Sequence, residues 1–533
     1  MNTPDVASTP GDSEPIGAPP VPAFQTDIIR RWIVVSYWVI LALGMPFWWY
    51  TTSIQRLSLP RARIQGLYEL EETFKFPTSI ILDASGTSLQ LARPIQELGA
   101  ALREDGILDH TLNWGIQPLE SGSSLGNNNR DLQIQDRNRY HVKWSTSVSI
   151  PEVADRELLI PAPKNGGEWS PADAKDLTRL MEELLVPPSN DAYKLRVVQY
   201  APRYRLAFSL LNEDASTGGG IMGWDVESAV QRYLRPTLSQ LGVLHNFTIE
   251  SQVQFHAPLA FEPGQITSLQ EGFVVNEDQM KIFVNSAEWT LASSTSNDPV
   301  LHFIIFVPAT NRRPLRVVTP SGELSQTNAF TIPQWGSIVV LNPPADSTSL
   351  LHLNMNDLSR PFSQFDTQLR ALLGVQPHGL EVKNRMTSYR NGPISQWQID
   401  ALLRHRVMEN VHGSIDTVNS IVKLVDRIKG MPVGDSVKSD VELTLSALEQ
   451  VQWISRTGGS LEDMLKASAK ASVHSSKAFF NPDMVAMLYF PAEHKYAVYT
   501  PLFAPIAVPL VVAAIREIKS WLARRREGRA KTE

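Results

Sequence analysis

His405, Glu409 and His412 recur at i, i+4 and i+7, a spacing that sets two imidazoles and a carboxylate on one side of a helix, where a divalent metal could bind. The string is not the HExxH of helical zinc proteases. The apolar positions of the same stretch, Leu403, Val407, Val411, Ile415, Val418, Val422 and Val425, count onto the opposite face. The trio is therefore expected to face water rather than a pocket. Asp83, Ser85 and Thr87 follow an apolar run and offer carboxylate and hydroxyl oxygens of the kind magnesium takes, although small polar residues also make an ordinary turn. Gly218, Gly219, Gly220 and Gly223 precede a helical stretch whose free amides could hold an anion. They lack the Gly-Lys-Ser/Thr of a P-loop and the dinucleotide spacing, and read as a flexible loop.

The 533 residues include no cysteine, so thiolate metal sites, disulfides and a cysteine nucleophile are excluded together. A net charge of -6 provides no global basic field for nucleic acid. The chain as read has no catalytic site, no cofactor site and no metal site, which favours a binding or assembly role.

The elements that would carry these residues follow from periodicity. Strand-like segments, short and rich in β-branched and aromatic residues, are IILD at 80–83, YHVKWSTSVSI, KLRVVQY, RLAFSLL, FTIESQVQF, KIFVNSAEWTL, LHFIIFV and SIVVLN. Helical spacing appears from Pro94, from Ser170 to Leu185 behind a Ser cap and a first-turn Pro, and from Trp224 to Leu241. A polar stretch at 121–129 reads as a loop. The interleaving predicts an α/β domain with a mixed sheet. From Ile394 the pattern becomes long amphipathic helices, with further helical stretches at 436–454 and 460–471.

Both ends read differently. Between Arg31 and Arg56 lie 24 uncharged residues, with Trp32 at one end and Trp48, Trp49 and Tyr50 at the other as interfacial anchors. A cleaved signal is disfavoured by the polar leader and the bulky aromatic end. A second uncharged stretch of 20 residues runs from Tyr496 to Ile515. Its Pro501, Pro505 and Pro509 free the carbonyls of Ala497, Pro501 and Pro505, which need partners inside a bilayer. The tail after Ile515 carries seven basic and three acidic residues, so the positive-inside rule makes it cytosolic. With two spans, the N-terminus is then cytosolic too. Asn246-Phe247-Thr248 is a glycosylation acceptor on the far side.

Longer strings carry a resemblance. YWVILALGMPFWWYTTSIQRLSLP (37–60) and SSKAFFNPDMVAMLYFPAEHKYAVYTPLFAPIAVPL (475–510), with HNFTIESQVQFHAPL, WGSIVVLN and FSQFDTQLRALLG between them, resemble the PIG-S family, a non-catalytic subunit of the GPI transamidase. The resemblance implies a two-pass protein of the endoplasmic reticulum membrane with a large luminal domain. It also implies a complex in which a caspase-like subunit, PIG-K, cleaves the proprotein signal and transfers the carbonyl to a GPI lipid. PIG-T, PIG-U and the GPI attachment protein are the other implied partners, alongside membrane lipid and the proprotein. On this reading residues 1–31 are a cytosolic segment, 32–52 a transmembrane helix, 53–393 a luminal α/β domain, 394–495 a luminal helical section, 496–515 a second transmembrane helix and 516–533 a basic cytosolic tail. Two rivals stand beside it. One is an independent luminal metal-dependent hydrolase using the Asp83 or His405 cluster, and the other a free-standing lipid- or glycan-binding receptor.

Overall fold

The computed structural model describes residues 27–52, 56–119 apart from 86 and 88, 138–162, 169–186, 197–266 apart from 217, 272–276, 279, 297–319, 321–344, 351–379, 383–384, 393–428, 431–482, 484 and 494–530. The expected loop at 121–129 and the expected strand KIFVNSAEWTL lie outside these residues. The chain divides into a large compact unit, Leu59–Val422 with Ser439–Phe479, and a smaller one formed by Met1–Ser58, Lys423–Lys438 and Phe480–Glu533.

Helix α1 (Asp27–Thr52) belongs to the smaller unit, and α2 (Arg61–Thr73) opens the larger. There follow β1 (Phe76–Asp83), α3 (Ala92–Glu104), α4 (Gly106–Thr111), β2 (Leu112–Pro118), β3 (Arg139–Ser145), β4 (Glu152–Ala154), β5 (Glu157–Pro161) and α5 (Pro171–Leu185). Asp105 starts α4 by accepting from the amides of Ile107 and Leu108. Ser170 and Asp173 form a reciprocal capping box at α5, ahead of a first-turn proline, as the sequence predicts. These strands form a sheet in the order β16-β4-β5-β3-β1-β2, where β16 is Lys383–Asn384. The pairs β1–β2, β1–β3 and β3–β5 are parallel, and β4 runs antiparallel to β5.

The next stretch holds β6 (Arg203–Asn212), β7 (Ile221–Trp224), α6 (Val226–Ala229), a π-helical turn over Val230–Leu234, α7 (Arg235–Leu241) and β8 (Asn246–Gln254). It continues with β9 (Gly264–Ile266), β10 (Gly272–Val275), β11 (Val300–Val307), β12 (Leu315–Val317), β13 (Ala329–Ile332), β14 (Gly336–Val340), β15 (Leu351–Leu353) and α8 (Ser359–Leu373). Its main sheet has the order β13-β14-β11-β6-β8, with β14, β11, β6 and β8 parallel and β13 antiparallel to β14. Strand β6 is buried along nearly its whole length, which explains a continuous apolar run rather than an alternating one. Phe208 stacks on Phe303 at 5.3 Å, and Phe362 and Phe365 of α8 close over them.

The expected α/β architecture is present, but as two main mixed sheets instead of one, and the two share a plan. In each, the first strand lies between the second and the third, a fourth parallel strand follows, and an antiparallel strand comes next, with β16 added beyond it in the first sheet alone. Each then ends on a helix, α5 or α8. The buried positions Ala174, Leu177, Thr178, Met181, Leu184 and Leu185 of α5 recur in identical spacing as Phe362, Phe365, Asp366, Leu369, Leu372 and Leu373 of α8. The stretch KLRVVQY is not a strand where it is described. Val197 and Val198 are buried, and the Val198 amide donates to the Leu372 carbonyl instead of to a ladder.

Helices α9 (Gln396–Arg427), α10 (Asp435–Thr457) and α11 (Leu461–Phe479) form the expected helical section. In the smaller unit, α1 and α12 (His494–Ala530) are both long and apolar enough to cross a membrane, with no part of their apolar windows buried. Helix α12 runs on through 516–530, where the sequence suggests only a tail. Arg30 and Arg31, which flank the apolar part of α1, both bond Glu517, which flanks that of α12, at 2.8 and 3.0 Å.

Candidate functional site

Open α/β sheets bind ligands beyond the carboxyl ends of their strands, where the strand order reverses. In the first sheet that point lies between β1 and β3, and Asp83 stands there, 8% exposed. Its carboxylate accepts from the Ser85 amide at 2.8 Å and lies 3.7 Å from the Lys143 ammonium on β3. Burial alone pushes this carboxyl up, but the Ser85 bonds and Lys143 outweigh it and hold the pKa below the ordinary carboxylate range. The Asp-x-Ser-x-Thr string is thus a closed turn whose acid faces a lysine. Thr87 bonds back to the Ala84 carbonyl.

The equivalent point of the second sheet, between β6 and β11, is filled in the same way. Glu213, 4% exposed, accepts from the Ala309 amide at 2.8 Å and from Arg312, which also grips Glu262 at 2.7 Å. The glycine cluster forms a tight turn at Gly218 and Gly219. Gly218 and Gly219 take φ of 85° and 65°, a region that favours glycine. A Cβ on Gly220 would lie 2.9 Å from that of Ala215. The Gly218 and Gly219 carbonyls accept from Thr310 and Arg313. Strand β7, not a helix, follows directly, and Gly223 sits within it.

The helix trio does not converge. His405 lines a cleft with Glu183, His378 and Gln398 whose cavity of about 20 Å³ suits a single water. Glu409 accepts from Arg406 at 2.6 Å and from the Tyr200 amide at 3.3 Å, and His412 points to Glu71 at 3.8 Å. All three are half-buried rather than facing open water. The cause is that α9 is packed on more than one side. Among the described residues, no group of three His, Cys, Asp or Glu is placed to hold a metal ion. Changing Glu409 to Ala should cost about 1–3 kcal/mol, because Arg406 is left buried with one partner fewer, whereas His412→Ala should stay within about 0.5 kcal/mol. Denaturant midpoints of the two variants check this, and equal losses would contradict the geometry.

The most heavily constrained polar cluster escaped the sequence reading. Asp400, fully buried on α9, accepts from Tyr140 at 2.8 Å, from Arg156 at 2.8 and 3.0 Å and from Gln396 at 2.8 Å. Arg404, one turn later and also buried, donates to the Tyr140 hydroxyl at 2.5 Å and to the Leu185 carbonyl at 3.2 Å. Burial pushes the Tyr140 phenol well up, with the Asp400 charge adding to it and the arginines opposing. A neutral, enclosed phenol is no nucleophile, so this is a structural clamp. Two residues on, buried Arg406 donates to the Leu373 carbonyl at 3.1 Å. Residues two apart on a helix point to nearly opposite sides. Arg404 therefore holds the last turn of α5 and Arg406 the last turn of α8, each supplying a cation to a helix C-terminus. The signal available in the sequence was the Asp400–Arg404 spacing inside an apolar helix.

Asn246 stands exposed at the start of β8, the edge strand of the second sheet, and Thr248 is exposed beside it. The sequence itself matches one group of proteins. Residues 35–524 match the family described as phosphatidylinositol-glycan biosynthesis class S protein, PIG-S. The chain belongs to the PIG-S family. Similar PIG-S relatives include the GPI-anchor transamidase component PIGS of Bos taurus, 28% identical over 529 residues, covering 91% of this chain and 94% of the relative. The GPI transamidase component PIG-S homolog of Schizosaccharomyces pombe is 29% identical over 516 residues, covering 93% and 85%. The GPI transamidase component GPI17 of Saccharomyces cerevisiae is 24% identical over 530 residues, covering 90% of each.

Proposed function

We propose that this chain is a non-catalytic component of a GPI transamidase, contributing assembly and substrate positioning to the attachment of GPI anchors. The observation that carries the reading is PIG-S membership over residues 35–524, with relatives named as transamidase components across nearly their full length. Its own residues agree. A chain without cysteine supplies no thiol, so a cysteine-dependent acyl transfer takes its nucleophile from another subunit, PIG-K in the scheme the family implies, with PIG-T, PIG-U and the GPI attachment protein as further partners. Both strand-end crevices are occupied by internal ion pairs, and the helix trio is dispersed among separate partners, which gives the hydrolase reading no support.

The proposed setting is the endoplasmic reticulum membrane, crossed twice, with the large unit luminal and both termini cytosolic. The contacts of Arg30 and Arg31 with Glu517 support it by joining the outer flank of one apolar helix to the outer flank of the other. Asn246, exposed on an edge strand, is the proposed glycan site. Asn246→Gln should abolish an endoglycosidase-sensitive mobility shift in cells, and an unglycosylated wild type would remove this support for a luminal β8.

Assembly through the second span is tested at its prolines. Pro501, Pro505 and Pro509 lie inside α12 and are exposed, so carbonyls they release need donors from neighbouring helices. Changing all three to Leu should preserve insertion and luminal folding while reducing co-purification of the other subunits in mild detergent. Full recovery, with normal attachment of a GPI reporter, would reduce the helix to an anchor. Migration of the wild-type protein alone under those conditions would overturn the subunit reading itself.

A further inference from the structure

Helix α12 is 37 residues long, about 55 Å at 1.5 Å per residue, whereas a hydrocarbon core takes up about 30 Å. Its apolar part ends at Ile515, and the remainder is not a frayed tail but a helix with two faces. Ile518, Trp521 and Leu522 are 58%, 52% and 45% exposed and fall on one stripe, continuing the apolar surface of the span. Arg516 and Lys519 lie on the other side, and Arg524, Arg525 and Arg526 follow, all exposed. Arg525 stacks on the Trp521 ring at 5.2 Å, which keeps a cation over the apolar stripe. The acid within this stretch, Glu517, is tied to Arg30 and Arg31 of α1 and so subtracts little from the positive field. Ile518 and Trp521 also line, with Val34 and Val35, a furrow of about 280 Å³ rimmed by Arg31 and Glu517. An apolar floor below an ionic rim has the profile of a phospholipid.

We infer that residues 516–526, continuing the axis of the span, bind the anionic headgroups of the bilayer, with Trp521 and Leu522 at the headgroup level. The chemistry is that of basic amphipathic helices, in which apolar burial and attraction to anionic lipid add. A cation stop signal needs charge alone and no apolar stripe, whereas headgroup binding at this level needs both. The inference rests on the reading that α12 spans the membrane, and the test separates the two.

The absence of cysteine allows a single reporter to be placed anywhere. Full-length Leu522→Cys and, within the span, Val512→Cys are labelled with an environment-sensitive fluorophore and reconstituted into vesicles of phosphatidylcholine, with or without phosphatidylserine. The label at 522 should shift to the blue and become protected from iodide only in the anionic vesicles, and high salt should reverse this. Replacing Arg524, Arg525 and Arg526 by Gln should abolish the difference, each cation being worth about fivefold in surface association. The label at 512 should be protected under every condition. Equal iodide access at 522 in both vesicle types overturns the inference, as does indifference to the three arginines. Protection of 522 only in the purified complex also overturns it and assigns the face to another subunit. Iodide access at 512 would refute the membrane-spanning reading instead.

Discussion

Asp400→Ala is expected to destabilise the large unit by about 3–5 kcal/mol, because it leaves Arg156 and the Tyr140 hydroxyl facing an empty position in a buried site. A loss of that size lowers a denaturant midpoint by more than most point changes do. Trp397, buried with its ring 4.4 Å from that of Tyr140, gives a fluorescence signal at the site itself. The penalty belongs to the broken pairing rather than to the pairing as such. Replacing the ionic set together, Asp400→Leu with Arg156→Met and Arg404→Met, should cost less than the single change. A single-variant loss below about 1 kcal/mol would show that the cluster relaxes to admit solvent.

Acid should weaken the same unit, and its histidines set the window. Burial first of all lowers the pKa of His245, His302 and His378, each to about 4 from an ordinary 6.5. Arg406 adds to the effect at His245, where a bond to the Ala201 carbonyl opposes it, and Arg205 adds to it at His302. The folded state thus holds these rings neutral where the unfolded chain takes up protons. Their contribution is intact above pH 6.5, declines as pH falls from 6.5 towards 4 and is fully lost below that. Each histidine accounts for about 2 kcal/mol of lost stability by pH 5. Urea midpoints at pH 7.5 and pH 5 measure the sum. His302→Phe, which can keep the ring contact with Trp335 at 4.7 Å, should flatten part of the dependence. Equal midpoints at the two pH values would contradict the burial of all three.

What could be read in advance was whatever a local rule governs. Ser170, Pro171 and Asp173 announce a helix start without help from the rest of the chain, and the runs at 205–211 and 301–307 are buried strands by composition. The two uncharged stretches define themselves by length. Val197 and Val198 look like strand because apolar burial and ladder pairing share a composition, and only the packing of α8 separates them. The left-handed turn at Gly218 and Gly219 was not legible, because a glycine string is equally compatible with an open loop and with a tight turn. The Asp400–Arg404 spacing flags a charged pair within an apolar helix, but not what that pair meets. The Asp400 partners Tyr140 and Arg156 lie about 250 residues away, and no spacing rule reaches that far.

The shared plan of the two main sheets supplies an internal control for mutations. Five strands in the same order, each set followed by a helix buried at six positions of the same spacing, make the two sheets two instances of one packing plan within a single chain. Met181 has its counterpart in Leu369 and Leu185 in Leu373, so a lesion in one instance can be judged against its twin in the same molecule. The two differ in what they bury: Thr178 of α5 stands where α8 has Asp366, and the acid at the strand end meets Lys143 on a neighbouring strand in one and Arg312 on a following loop in the other. Arg404 and Arg406, reaching opposite ways from one helix to equivalent carbonyls, make α9 the strut on which both instances of the plan are tied.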